Sequence, residues 1–272
     1  MTESAIDLEF EELTNKISRE RGFLCASYKE RCLRRRIAVR MRARGALTYG
    51  EYARVLDSDP REFDLLLDAL TINVTKLFRN WETFDSIARR VVPALWARPD
   101  RQLRIWSAGC ASGEEAYSLA ILMHRHAVIR GERHRLSRIS VLGSDIDRAS
   151  LEAAARGVYT EAAFADTPPE LRAEYFPPEP PYAVPAEVKA LVHFERRDLL
   201  RDPEPDHGIH LITCRNVIIY FDRSTQEALF QRFHDALAPG GFLVLGKVET
   251  LFGPARNWFT PVDARERIFQ RP

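Results

Sequence analysis

The stretch LRIWSAGCASGEEAYSLA, residues 103–120, decides the fold of this chain. Residues 103–107 form a short apolar segment typical of a buried strand. A turn of small residues from Ala108 to Gly113 follows, and Glu114 opens a segment with helical apolar spacing. In α/β proteins, a strand that runs through a glycine-containing turn into a helix lets the backbone approach a nucleoside ligand closely.

Strands and helices alternate around this turn, which predicts a parallel, doubly wound sheet of the Rossmann-like type. The other predicted strands are residues 139–145, 191–199, 209–214 and 241–246, with 265–270 as a last strand at the sheet edge. Residues 157–190 break this rhythm, because the seven prolines between positions 166 and 185 fit neither a central strand nor a long helix. We interpret this interval as an insertion that forms a small β-subdomain.

The front of the chain shows helical spacing and no convincing strand. The sequence therefore predicts a helical domain over residues 1–90, followed by the α/β domain over 91–272. Leu33, Ile37 and Met41 lie four apart and form one apolar stripe. The ends of the helices are marked by residues typical of caps, with Gly45 predicted as a stop and Asp59-Pro60 as a start.

The composition is that of an ordinary soluble globular protein. The 272 residues are 45% hydrophobic and 29% charged, and no apolar run approaches the ~20 residues needed to cross a bilayer. The acidic N-terminal segment is unlike a secretory signal, so we expect a cytoplasmic protein. The four cysteines form no CxxC pair and have no histidine cluster at zinc-ligand spacing, so we expect no metal site.

The net charge of +1 conceals an uneven distribution of charge. Between Arg19 and Arg44 there are ten Lys or Arg residues against two Glu. Such a block indicates an anionic partner. A solvated helix face is the alternative interpretation, and the sequence leaves both open.

The residues of the turn favour one class of ligand. Glu114 and Glu115 lie in the first helical turn, where two carboxylates repel phosphate and tolerate a cationic group. S-adenosylmethionine carries an ammonium and a sulfonium and no phosphate, so it fits this site. Alternatively, the acids complement the helix dipole. Asp145 ends the strand 139–145, where an acid commonly binds ribose hydroxyls, and Asp147 is predicted to cap the next helix.

Several segments together resemble the CheR family of chemoreceptor (protein-glutamate) O-methyltransferases. The resemblance implies a helical N-terminal domain, a methyltransferase domain that binds S-adenosylmethionine, and esterification of glutamate side chains on chemoreceptors. It also implies that the basic segment docks on an acidic receptor bundle through Arg31, Arg34, Arg35, Arg36, Arg40 and Arg42. The matching segments are TINVTKLFRN (71–80), RIWSAGCASGEEAYSLA (104–120), GSDID (143–147), TCRNVIIYFD (213–222) and the basic YKERCLRRRIAVRM (28–41).

The resemblance assigns roles to individual positions. It implies that Arg79, Tyr220 and Arg215 lie nearest the methyl transfer. A surface salt bridge for Arg79 and a sheet-edge aromatic for Tyr220 are the alternatives. The cofactor contacts that it implies are Asn73, Thr75, Arg79, Gly109, Glu114, Asp145, Asp198, Leu199, Arg215 and Asn216.

This chain departs from the family pattern in three places. The family usually has Asn-Leu where this chain has Asp198-Leu199, and Gly-His-Ser-Glu where it has residues 246–249, GKVE. Residues 176–190 contain no glycine for the tight loop with which some members grip a receptor C-terminal peptide, so we expect that this tether is not required. Residues 80–84, NWETF, resemble such a tether, and we interpret this as coincidence on a predicted helix.

The chemistry of glutamate esterification places few demands on the enzyme. A glutamate is already ionised at neutral pH, given a reference pKa of about 4.3, so alignment and exclusion of water matter more than a general base. A nucleic-acid methyltransferase is one alternative, but the chain lacks an Asn/Asp-Pro-Pro-Tyr/Phe site and a catalytic Cys motif, and its pI of about 7.7 is modest. A non-catalytic scaffold that binds S-adenosylmethionine is the other.

Overall fold

The computed structural model describes residues 3–71 and 74–272. The chain divides into two compact units, the first formed by Met1–Ile72 with Tyr220–Gln226 and the second by Asn73–Ile219 with Glu227–Pro272. The boundary therefore falls well before the predicted position 90. The reason is that residues 81–96 bury their apolar side chains in the core of the second unit, together with the first strand of its sheet.

The first unit is helical, as predicted. In α2 the stripe of Leu33, Ile37 and Met41 is buried, which confirms the predicted core face. Gly45 ends this helix in the left-handed conformation, with φ of 69°. The Asp59 side chain accepts a hydrogen bond from the Arg61 N–H and caps the helix that begins at Pro60. The helices are α1 (Glu3–Arg21), α2 (Glu30–Arg44), α3 (Tyr49–Ser58) and α4 (Pro60–Leu70).

The second unit is built on a seven-stranded sheet in the order β5-β2-β1-β6-β7-β9-β8. The first five strands in this order are parallel, while β9 runs antiparallel to both β7 and β8. This confirms the doubly wound α/β fold class. The strands are β1 (Leu103–Ala108), β2 (Ile139–Asp145), β5 (Val192–Arg196), β6 (Ile209–Cys214), β7 (Leu237–Leu245), β8 (Thr260–Asp263) and β9 (Ile268–Gln270).

Helices connect the strands of the second unit. The predicted helical run from Trp81 to Trp96 is confirmed, with one π-helical turn, Ile87–Val91, between α5 and α6. None of the helices in the described residues has both the length and the hydrophobicity to cross a membrane. The helices are α5 (Trp81–Ser86), α6 (Val92–Trp96), α7 (Glu114–Ile129), α8 (Arg148–Arg156), α9 (Pro169–Tyr175), α10 (Ala186–Lys189), α11 (Arg223–Ala236) and α12 (Ala255–Trp258).

The edge of the sheet differs from the prediction. Residues 265–270 were expected at the edge, but β9 lies between β7 and β8, and β8 forms the edge. The segment of β8, TPVD, contains Pro261 and is half-exposed, so it carries no strand pattern. Proline is tolerated on an edge strand because its missing N–H faces away from the ladder.

The proline-rich interval forms a small subdomain between α8 and β5. Its sheet consists only of β3 (Val158–Tyr159) and β4 (Tyr182–Ala183), paired antiparallel. An aromatic cluster of Phe164, Phe176 and Tyr182 holds it together, with the ring of Phe164 lying 4.8 Å and 5.3 Å from the other two. The subdomain is therefore mostly helix and loop around a minimal β-ladder.

Candidate active site

The turn after β1 is fixed against the end of β2. The N–H groups of Gly109 and Cys110 both donate to the Ser144 carbonyl, at 2.8 and 2.9 Å. Gly109 has φ of +78°, and a Cβ there would lie 2.5 Å from Cγ2 of Val217. Only glycine fits this position, so the turn packs tightly against Val217 at the carboxyl edge of the sheet, where α/β folds bind ligands.

Glu114 is a buried acid with little compensation from the protein. Glu114 is 5% exposed, and the Ser112 hydroxyl lies 3.0 and 2.8 Å from the two carboxylate oxygens of Glu114. Burial raises the pKa of Glu114. No Lys, Arg or His in residues 3–71 or 74–272 lies within 4 Å of this carboxylate. Because a buried charge without a partner is costly, the site fits a cationic ligand such as the ammonium group of S-adenosylmethionine.

Glu115 has a different role from its neighbour. It accepts hydrogen bonds from Ser107 Oγ (2.8 Å) and Thr213 Oγ1 (2.6 Å), and its second oxygen lies 3.2 Å from Nη1 of Arg215. Glu115 is thus neutralised inside the protein. Glu115 therefore has an internal partner, and the expectation that an acid of this turn favours a cationic ligand stays a prediction for Glu114.

Arg215 fixes the segment that carries Arg79. Its side chain is 2% exposed, and Nη2 donates to the Arg79 carbonyl at 2.8 Å. The same nitrogen lies 3.3 Å from Oδ1 of Asn80, and the guanidinium is 5.1 Å from the centre of the Phe84 ring. Phe78 and Asn80 both have positive φ, 54° and 60°, so this segment needs such support. The contacts of Arg215 give it a positioning role, and its catalytic role stays a prediction.

The same segment is also tied to α7. The Phe78 N–H donates to Ser118 Oγ at 2.8 Å, and this hydroxyl donates in turn to the Glu114 carbonyl at 2.6 Å. Arg79 directs Nη1 to the Val74 carbonyl at 2.9 Å. Thr75 is half-buried, and Asn73 lies outside the described residues.

Asp145 sits at the end of β2 with acceptor capacity left over. Oδ2 accepts the Ala111 N–H at 2.8 Å, and Oδ1 accepts the Asp147 N–H at 3.0 Å. Burial raises the pKa of Asp145. Two carboxylate oxygens can together accept about four hydrogen bonds, so with a further backbone hydrogen bond from Ile146 the group can still accept a ribose hydroxyl. Asp147 caps α8 by accepting the Ala149 N–H at 2.9 Å, which confirms that prediction.

Asn216 and Glu249 lie after β6 and β7. Asn216 has φ of 60°, and its Oδ1 is buried without a hydrogen-bond partner in the part of the chain that the structure describes. Glu249 is 3% exposed, and its Oε2 accepts the N–H groups of Asn216 and Gly246. Glu249 was not among the predicted site residues, because its segment departs from the family pattern. The missed signal is that GKVE keeps the final Glu of the family pattern.

Asp198 and Leu199 form a turn after β5. Asp198 Oδ1 accepts the Leu200 N–H at 2.9 Å, and the Leu199 carbonyl accepts Nη1 of Arg232 at 2.8 Å. The Asp198 carboxylate therefore closes its own turn. Because a carboxylate cannot donate as an amide can, a contact to an adenine acceptor would have to come from the backbone here. The predicted cofactor contact of these two residues stays a prediction.

Tyr220 belongs to the first unit. The guanidinium of Arg36 lies 5.2 Å from the centre of its ring, and its carbonyl accepts the Lys29 N–H at 2.8 Å. The structure thus places Tyr220 beside the basic helix α2. Its predicted catalytic role is not tested by these contacts and stays a prediction.

Comparison with known proteins decides the family. The sequence model for "CheR methyltransferase, SAM binding domain" matches residues 73–268, and the one for "CheR methyltransferase, all-alpha domain" matches residues 8–71. The chain belongs to the CheR methyltransferase family. It is 35% identical over 252 residues to a chemotaxis protein methyltransferase of Listeria innocua, covering 92% of this chain and 93% of that one.

Other members of the CheR family show similar relationships. A chemotaxis protein methyltransferase of Klebsiella aerogenes is 32% identical over 261 residues, covering 93% of this chain and 87% of its own. A putative methyltransferase of Pseudomonas putida, Cher3, is 30% identical and 99% of each chain is covered. Membership of this family makes the protein an S-adenosylmethionine-dependent methyltransferase, which confirms the predicted enzyme class and cofactor. The two matched ranges also agree with the boundary near residue 72.

Proposed function

We propose that this protein transfers the methyl group of S-adenosylmethionine to glutamate side chains on bacterial chemoreceptors, giving glutamyl methyl esters. The observation that carries the proposal is the buried carboxylate of Glu114 beside the turn after β1, which has a hydroxyl partner but no cationic one in the described residues. The names of the relatives support the receptor as substrate. A cytoplasmic location follows for the protein, because it would have to meet the cytoplasmic bundle of the receptors.

The residues of the chain divide the work of this reaction. S-adenosylmethionine supplies an electrophilic methyl group when it is bound. Glu114 binds its ammonium group, and Asp145 accepts its ribose hydroxyls. Arg79 orients the glutamate, and Arg215 holds the Arg79 backbone by the hydrogen bond described above. Since the glutamate is already ionised at neutral pH, its reference pKa being about 4.3, no side chain has to remove a proton.

A methyl-transfer assay on purified receptor cytoplasmic fragments tests the proposed function. We expect S-adenosylmethionine to add methyl groups to glutamates, detected by peptide mass spectrometry and removed again by mild base, as for esters. A protein that binds S-adenosylhomocysteine but never methylates the fragments would be a scaffold. Methylation of RNA or DNA in place of the fragments would favour the nucleic-acid alternative.

Three of the six arginines assigned to receptor docking are used inside the first unit. Nη2 of Arg34 lies 2.7 Å from Oδ1 of Asp7, and the guanidinium carbon of Arg34 lies 3.9 Å from the centre of the Phe10 ring. Arg36 donates to the carbonyls of residues 69 and 70, and Arg40 makes two hydrogen bonds to the buried Glu62. These side chains stabilise the helical unit and have little freedom to bind a partner.

The remaining three arginines form an exposed face of α2. Arg31, Arg35 and Arg42 are exposed, and their spacing of four and seven residues puts them on one side of the helix with the half-exposed Val39. We infer that this narrower face docks the acidic receptor bundle. The attraction should weaken with salt, because exposed charges are screened.

Reversing the charge of this face should separate docking from catalysis. For Arg31→Glu/Arg35→Glu/Arg42→Glu we expect the KM for receptor fragments to rise about 10-fold at low salt. The kcat and the affinity for S-adenosylhomocysteine should stay near wild type. The matched control reverses three exposed arginines elsewhere, Arg54, Arg148 and Arg156, and should leave KM unchanged. Equal effects of the two triple variants would show that only net charge matters.

Arg79→Ala tests the catalytic assignment. We expect kcat to fall about 100-fold or more, because a misoriented nucleophile loses most of the benefit of alignment. S-adenosylhomocysteine affinity, measured by calorimetry, should fall much less. Arg79→Lys keeps the positive charge but not the planar guanidinium, so its kcat should lie between those of wild type and Arg79→Ala. If affinity and kcat fell by the same factor, Arg79 would have a purely cofactor-binding role.

We also infer that the receptor C-terminal tether is not required. The subdomain that would grip it offers only two strands of two residues, and residues 176–190 contain no glycine. Residues 80–84, which resemble such a tether, are not available as a peptide ligand, because Phe84 lies in α5 and is 1% exposed. Receptor fragments with and without the C-terminal pentapeptide should show the same KM. Micromolar binding of the free pentapeptide would refute the inference.

A further inference from the structure

Glu249 lies in the turn after β7 and is buried, with 3% exposure. One of its oxygens, Oε2, accepts the Asn216 N–H at 3.0 Å and the Gly246 N–H at 2.5 Å. Burial raises the pKa of Glu249, and backbone hydrogen bonds at Asn216, Gly246 and Ile219 oppose that effect. The carboxylate thus occupies a concave group of backbone N–H donors, the kind of arrangement that binds anions elsewhere.

This carboxylate joins two turns that would otherwise be separate. Strands β6 and β7 are parallel neighbours, with Cys214 paired to Leu245, so the chain leaves both at the same edge of the sheet. The approach is close, because a Cβ on Gly246 would lie 2.6 Å from Oε2 of Glu249 and 2.9 Å from the Asn216 nitrogen. Glycine at 246 and an acid at 249 are both needed for this connection.

The joined turn presents polar atoms that the protein itself leaves unsatisfied. Arg215 Nε, Asn216 Oδ1 and Glu249 Oε1 are buried and have no hydrogen-bond partner within residues 3–71 and 74–272. Such atoms are rare in folded proteins, since leaving them unpaired costs free energy. Asn216 also has a left-handed backbone conformation, with φ of 60°, which asparagine adopts more readily than other non-glycine residues.

We propose that Glu249 is a positioning residue, whose carboxylate holds the turn at 215–217 in the shape that presents Asn216 to the cofactor. The inference rests on the proposed function, because Asn216 is assigned to the S-adenosylmethionine site. Glu249 touches neither substrate nor cofactor in this account. It acts through the backbone of Asn216.

The clamp itself can be tested in the ligand-free protein by NMR. In wild type, the amide protons of Asn216 and Gly246 should lie downfield and exchange slowly, because they donate to a charged, buried acceptor. In Glu249→Gln both signals should move upfield and exchange faster. If neither amide responds, the carboxylate does not hold the turn. Should Glu249→Gln fail to fold, Glu249→Asp, which keeps the charge but shortens the reach, gives the same readout.

The consequence for the cofactor is tested by calorimetry and kinetics. Glu249→Gln should weaken S-adenosylhomocysteine binding at least about 10-fold, the effect of losing a charged hydrogen bond, and leave the KM for receptor fragments unchanged. The control is Glu266→Gln, another acid of the second unit that is 5% exposed and accepts Thr83 Oγ1 at 2.7 Å. Glu266→Gln should leave cofactor affinity within about twofold of wild type.

Unchanged cofactor affinity in Glu249→Gln, or an equal loss in Glu266→Gln, would overturn the inference. The failure of the proposed function looks different, because it shows in the wild type. Wild-type protein that binds S-adenosylhomocysteine but methylates no receptor fragment refutes the receptor substrate and leaves the role of Glu249 standing. Wild-type protein that binds no S-adenosylhomocysteine refutes both.

Discussion

Glu114→Gln should weaken S-adenosylhomocysteine binding about 100-fold or more, because truncating one partner of a buried charge pair costs about 2–5 kcal/mol. The ammonium of the ligand would lose the acid that neutralises it, and the Ser112 hydroxyl that hydrogen-bonds this acid carries no charge to replace it. Calorimetric titration of wild type and variant measures the loss. A dissociation constant within about threefold of wild type would show that the ammonium binds elsewhere.

The same substitution should not destabilise the ligand-free protein. Burial raises the pKa of Glu114 above its unfolded value, so keeping it ionised at neutral pH opposes folding. The thermal midpoint of Glu114→Gln without ligand should therefore equal or exceed that of wild type. An ionised carboxylate that lowers the stability of the ligand-free protein is typical of a binding site, because the ligand supplies the missing countercharge.

Glu62→Gln provides the matched control in the first unit. Burial opposes its ionisation, but hydrogen bonds from Arg40 and Tyr52 prevail and lower the pKa of Glu62. Its stabilising effect is present above its unfolded pKa and is lost as pH falls. Glu62→Gln should thus lower the thermal midpoint and leave cofactor affinity unchanged, the opposite of Glu114→Gln in both measurements.

Arg215→Ala should lower the free energy of unfolding by about 3–5 kcal/mol, the cost of removing one partner of a buried ion pair. Glu115 would remain largely buried without a countercharge, and the Arg79 carbonyl would lose a donor. Denaturant unfolding followed by a probe in the second unit measures the loss. Methyl transfer should also fall, because the segment 78–80 is no longer held.

A double variant separates these effects. Arg215→Met/Glu115→Gln removes the orphaned charge and should recover part of the stability lost in Arg215→Ala, since the two residues interact directly. Activity should not recover with it, because the support of the Arg79 backbone is still missing. If Arg215→Ala unfolded like wild type and yet lost all activity, Arg215 would act on the reacting groups directly.

Local patterns were sufficient to predict most of the sheet. The bounds of β2 and β6 agree with prediction to the residue, because each segment is mostly buried and carries several large apolar residues. β7 was predicted to begin at 241, but it begins at Leu237 and runs through Pro239 and Gly240 by way of a bulge opposite β6. Proline and glycine usually mark a turn between elements, but a β-bulge lets a strand continue through them.

Long-range charge partners were beyond the sequence. Helical spacing places Arg34, Arg36 and Arg40 on α2, but it does not reveal that their partners lie on other helices of the first unit. The ion pair between Glu115 and Arg215 could not be predicted either, because these residues are one hundred positions apart in the sequence. Periodicity reports which face of an element is buried, whereas ion pairs between elements depend on the tertiary register, which no local pattern contains.

A crystal structure of the protein with S-adenosylhomocysteine would show whether Glu114 and Asp145 bind the cofactor. We expect the amino group of the ligand within ion-pair distance of the Glu114 carboxylate, and the ribose hydroxyls within hydrogen-bond distance of the Asp145 carboxylate. Density for the ligand at another place, or a turn after β1 filled by the protein's own side chains at saturating ligand, would contradict it.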